Sequence, residues 1–104
     1  MILLNIIQLL LIHYSDEQIS QIRDLAAALT PISDIAILMN LDVYQLRDAL
    51  ADPANPVSQA YRRAKAETML SIRRNELQLA SMGSPLAVQL AGSYLINMNN
   101  DEDL

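Results

Sequence analysis

The chain has 104 residues, a net charge of −5, 52% hydrophobic residues, two glycines, and no Cys, Phe or Trp. That length fits one compact domain, or a small domain carrying an oligomerisation element. The missing cysteines exclude disulfides and thiolate metal sites, the lone histidine, His13, has no second His to share a metal or catalytic site, and the acidic balance excludes a protein that coats nucleic acid indiscriminately.

The opening MILLNIIQLLLI is almost wholly apolar. It is shorter than the roughly 20 apolar residues that span a bilayer. It also lacks the basic stretch and small-residue cleavage site of a secretory signal. We expect residues 1–14 to be a buried or subunit-interface segment, with a signal or membrane anchor and a start-site artefact as the alternatives. The run is too continuous for periodicity to choose between helix and strand. So much apolar surface on a small protein points to a partner.

Ser15 opens the next element, because SDEQ places a serine cap three residues before Gln18, with Asp16 and Glu17 in the first turn. Ile19, Ile22, Leu25, Ala26 and Leu29 follow at helical spacing. Thr30–Pro31 ends that helix and begins another, with Thr30 as the expected cap and Pro31 at the first helical position. PISDIAILM is short and apolar on one side, and Asn40 tolerates the left-handed conformation used to leave a helix. Asp42 is the expected cap of VYQLRDALA, which DPANP stops with two prolines.

A DNA-reading helix-turn-helix needs a small residue where its helices cross. It needs a residue tolerant of positive φ four positions on, and an apolar residue six beyond that to pin the second helix. Ala36, Asn40 and Leu46 meet that spacing, with Ile35, Met39, Leu41 and Val43 as buried positions between. Residues 15–52 are therefore assigned to a helix-turn-helix domain. Its second helix presents Asp42, Tyr44, Gln45, Arg47 and Asp48 outward, and the N-terminal part of such a helix reaches base edges in the major groove. Gln45 suits adenine, and Arg47 suits guanine or phosphate. Tyr44 suits sugar or phosphate. The competing reading has Tyr44 and Arg47 merely solvating a core-packing helix, with Asp42 and Asp48 repelling phosphate.

From Val57 to Met82 there is neither Pro nor Gly, so one helix of up to about seven turns is expected, ended by Gly83 at a left-handed position. Ser84–Pro85 starts a last helix with Leu86, Leu90, Tyr94 and Leu95 as its apolar stripe. Residues 57–98 form the expected helical oligomerisation region, and 99–104 an acidic tail.

Charge is banded along the chain. Residues 1–56 carry Arg23 and Arg47 against seven carboxylates, whereas 57–76 carry Arg62, Arg63, Lys65, Arg73 and Arg74 against two. Arg62, Lys65 and Arg73 share one side of the long helix, and Arg63 and Arg74 another. This band is either a salt-sensitive phosphate strip or a solvated face with internal pairs such as Arg63 with Glu67. No glycine-rich phosphate loop, nucleophile elbow or metal-spaced set occurs. No enzyme, cofactor or metal site is expected.

The order of IAILMNLDVYQL, AYRRAKAE and GSPLAVQL over residues 31–98 resembles the small terminase subunits of tailed phages and prophages. The resemblance implies an all-α, oligomeric, non-enzymatic DNA-packaging adaptor in the bacterial cytoplasm. It would recognise double-stranded DNA and pass it to a large terminase subunit, without membrane attachment. By position, Tyr44, Gln45 and Arg47 fall on the DNA-facing helix, and Arg62, Arg63 and Lys65 on the linker to the oligomerising helix. Asn40 stands where glycine is commoner, the reading helix is weakly basic and the ring-forming region is short. A dimeric phage transcription regulator and a helical protein-interaction module are the alternative functions.

Overall fold

The computed structural model describes residues 13–102. Among them the chain is all-α, with five helices and no strand: α1 (Asp16–Ala27), α2 (Ile32–Met39), α3 (Val43–Ala51), α4 (Pro56–Ser81) and α5 (Pro85–Glu102). The expectations for the apolar segment at 1–12 and for the last two tail residues lie outside the described residues. The chain packs as two units, one ending at Thr68 and the other starting at Met69. That division falls inside α4, and not at the proline-containing linker, because Val57 is buried in the first unit's core and Tyr61 packs against it.

Helix ends follow local chemistry. Ser15 and Gln18 form a reciprocal capping box at α1, the Ser15 Oγ accepting the Gln18 N–H and the Gln18 Oε1 accepting the Ser15 N–H. Asn55 Oδ1 accepts the Val57 N–H at 3.1 Å, with Pro56 at the first position of α4, where a missing N–H costs nothing. Three helices leave through the same left-handed exit. The residue in that conformation donates to the third carbonyl back, and its successor donates to the fifth. Gly83 (φ 93°) does this after α4, with Ser84 N–H on the Leu79 carbonyl at 3.1 Å. Asn40 (φ 57°) does it after α2, and Leu29 (φ 58°) after α1.

Leu29 corrects the expected stripe. It lies beyond the end of α1, and Thr30 does not cap α2: the Thr30 N–H goes back to the Leu25 carbonyl at 3.0 Å, and Pro31 takes the extended cap position without a side-chain hydrogen bond. Pro31 disfavours helical backbone at Thr30 and so keeps α1 from running on into α2. At the other end, α5 runs to Glu102, four residues past the expected tail boundary at 98. No Pro or Gly follows Gly92, and Asn, Asp and Glu each cost a helix only about 0.7 kcal/mol or less.

The core of the first unit is Tyr14, Ile22, Ile35, Ala36, Leu46, Ala49, Leu50 and Val57, with Ile19, Leu25, Ile32, Met39, Leu41, Val43 and Tyr61 packed around it. Complete burial of a side chain such as Ile22, Ile35 or Leu46 stabilises by about 1.5–3 kcal/mol. Thr68 Oγ1 donates to the Ala27 carbonyl at 2.6 Å, tying α4 to the end of α1. Tyr14, which the sequence reading groups with the apolar segment, belongs to this core.

The Tyr14 phenol ionises above its ordinary range, chiefly because burial disfavours the phenolate and secondly because the Asp42 carboxylate repels it. The folded state then holds this proton more tightly than the unfolded chain does. The associated stability is complete below about pH 10, the unfolded value, and is lost as pH rises from there through the folded value. Urea titrations between about pH 8 and 11 should show a fall beginning near 10 that shrinks in Tyr14→Phe. An equal fall in that variant removes the assignment.

Asn40 yields a further expectation. Asn40→Gly should leave stability unchanged or slightly raised, while Asn40→Val should lower it by about 1–2 kcal/mol, because a β-branched residue resists the left-handed region. Equal stability of the two variants, measured by chemical denaturation, would show that the turn is not held as described.

In the second unit Gly83 and Ser84 join the end of α4 to α5. Arg73 lies over the Tyr94 ring, 5.7 Å from its centroid. Ala87 is buried, but Leu77, Leu79, Met82, Leu86, Leu95, Ile96 and Met98 are exposed.

Candidate nucleic-acid interface

The geometry around α2 and α3 starts from backbone constraints. Asn40 turns the chain at φ 57°, ψ 43°, and the Leu41 N–H closes the turn on the Ala36 carbonyl at 2.9 Å. Ala36 is buried where α2 and α3 pack together, and its single methyl lets them approach. Asp42 then caps α3, its Oδ1 accepting the Gln45 N–H at 2.9 Å. Leu46, Ala49 and Leu50 bury one side of α3. At 3.6 residues per turn the opposite side carries Tyr44 and Asp48 in line, with Arg47 and Gln45 on its flanks.

Tyr44, Gln45, Arg47 and Asp48 are all exposed, Tyr44 to 76%. An aromatic ring this free of packing contributes little to the core, so its face is open to a partner. The charge on the surface is mixed: Asp48 stands on the central line, and Arg47 is the only cation of α3. Binding of an anion here would rest on hydrogen bonding as much as on net charge.

The basic residues of α4 do not form one strip. Arg62 Nε donates to Ser58 Oγ at 2.9 Å, and its Nη2 donates to the Leu50 carbonyl at 3.1 Å. Arg63 pairs with Glu67 at 2.9 Å in an exposed i,i+4 bridge, worth about 0–1 kcal/mol and easily given up. Lys65 is exposed. Steps of about 100° per residue put Arg63 and Lys65 on nearly opposite sides of the helix. Of the line Arg62, Lys65 and Arg73, the two arginines are engaged within the protein, the first on Leu50 and the second on Tyr94.

No family model, curated protein or solved structure matches the chain.

Two features escaped sequence reasoning. Ser58 is fully buried and donates to the Leu50 carbonyl at 2.7 Å; its i,i+4 relation to Arg62 was the available signal. Ile37 and Leu38 of α2 are 74% and 67% exposed, two apolar side chains that the one-sided reading of this helix left unplaced. Among the described residues no cluster of His, Asp and Glu could hold a metal ion, and no helix is long and apolar enough to cross a membrane.

Proposed function

We propose that residues 15–52 form a DNA-reading helix-turn-helix domain. On this reading the chain is a packaging adaptor similar to small terminase subunits, working as a homo-oligomer that passes double-stranded DNA to a large terminase subunit. One observation carries the reading. After the left-handed turn at Asn40, α3 buries Leu46, Ala49 and Leu50 and leaves Tyr44, Gln45 and Arg47 exposed together. Gln45 and Arg47 then serve base edges or phosphate, Tyr44 the sugar–phosphate backbone, and Arg63 and Lys65 flanking phosphates. The exposed apolar side chains of α5 and the end of α4 supply an assembly surface. Assembly offsets weak binding per protomer through multivalency.

Fluorescence anisotropy with duplex DNA at low salt tests this, alongside a native mass measurement. Binding by an assembly larger than a dimer, weakened at least several-fold by Arg47→Ala, is the expected result. A dimer that prefers one palindromic site would instead indicate a regulator. Failure of the assembled wild type to bind any duplex ends the DNA reading.

The exposure of Ile37 and Leu38 favours a second reading, a protein-interaction module, since DNA gives these side chains no partner. Indifference to DNA at every salt concentration, with oligomers retained, selects it.

A further inference from the structure

We infer that Arg62 is a positioning residue that clamps the C-terminal end of α3 onto α4, and is not a phosphate ligand. For its DNA half this inference rests on the helix-turn-helix reading proposed above; for its structural half it rests on geometry alone. The last four carbonyls of any α-helix lack intrahelical donors. In α3 one of these is the Leu50 carbonyl, and it receives two donors from α4: Ser58 Oγ–H at 2.7 Å and Arg62 Nη2–H at 3.1 Å. Arg62 Nε donates to the same Ser58 oxygen at 2.9 Å, so three groups close a ring of hydrogen bonds. The planar guanidinium fork reaches both acceptors at once, which an ammonium on a flexible stem does not do.

The electrostatics agree with this role. The last turn of α3 has no basic residue of its own, so its partial negative end is met by a cation supplied from α4. The connection between the helices is fixed as well. Asp52 Oδ1 accepts the Ala54 N–H at 3.0 Å, the Asn55 N–H reaches the Asp52 carbonyl at 3.1 Å, and Gln59 Nε2 donates to the Pro53 carbonyl at 3.3 Å. With the ring closed, the angle at which α3 stands to the first turns of α4 is set. An Arg62 swung out to a phosphate would leave Leu50 and Ser58 with fewer partners at a buried position, which opposes that use.

The test compares full-length wild type with Arg62→Ala, Arg62→Lys, Ser58→Ala, the Ser58→Ala/Arg62→Ala double variant and Lys65→Ala. In urea titrations, Arg62→Ala and Ser58→Ala should each reduce the folding constant about five- to tenfold. The double variant should lose less than the product of the two, because both act on one ring. Arg62→Lys should behave like Arg62→Ala. In DNA titrations against salt, Arg62→Ala should keep the wild-type slope, whereas removing a true phosphate contact such as Lys65 lowers it by about 0.9. An unchanged folding constant in Arg62→Ala overturns the inference, and so does a slope reduced by about 0.9 that Arg62→Lys restores. Absence of DNA binding by the wild type would count against the proposed function while the urea cycle still decides the clamp.

Discussion

Leu46→Ala is expected to destabilise the first unit by about 3 kcal/mol, within the roughly 2–5 kcal/mol seen when a buried leucine is truncated. Leu46 has no solvent exposure and lies in the cluster that joins α1, α2, α3 and the start of α4. Its removal costs the transfer energy of three carbons plus a cavity that the short, constrained helices around it cannot close. Single domains have only about 5–15 kcal/mol in total, so the variant should unfold at much lower urea concentration. Leu46→Met, which conserves volume, should cost less than about 1.5 kcal/mol. Far-ultraviolet circular dichroism through both titrations gives the numbers. A loss below about 1 kcal/mol for Leu46→Ala would mean that α3 is not pinned on this side. Its outer surface would then have no fixed presentation.

Tyr14→Ala should cost about 3–5 kcal/mol, the range for deleting a buried aromatic ring, and Tyr14→Phe at neutral pH should cost little. Tyr14 is 8% exposed and sits in the same cluster as Ile22, Ile35 and Leu46. It immediately precedes the Ser15 cap, so its ring is held at the entry to α1. The comparison of the two substitutions separates ring from hydroxyl. Should Tyr14→Ala unfold at the same urea concentration as wild type, the ring is not part of the cooperative core, and that core begins at α1.

Backbone rules that act within four or five residues were sufficient at most helix ends, though not at the start of α2, where Thr30 was read as the cap. Ser15 with Gln18, Asp42 with the Gln45 amide, and the left-handed exits at Asn40 and Gly83 all depend on near neighbours, and all are found as read. Leu29 was missed because leucine itself gives no left-handed signal. The outward set Tyr44, Gln45 and Arg47 was legible because Leu46, Ala49 and Leu50 define the buried side by period. The basic residues were not separable in this way, since Arg62, Arg63 and Lys65 look alike in a string and differ only in what faces them.

By itself the sequence determined the all-helical class, most helix limits and the buried sides of α1 and α3, because capping, proline and periodicity operate locally. Tertiary structure alone decided that Tyr14 joins the core, that Ile37 and Leu38 stay outside it, and that Arg62 meets the Leu50 carbonyl across twelve residues of chain. Those outcomes depend on which surfaces fold against one another. A side chain's partner across a helix crossing is set by the crossing, and no local spacing encodes it.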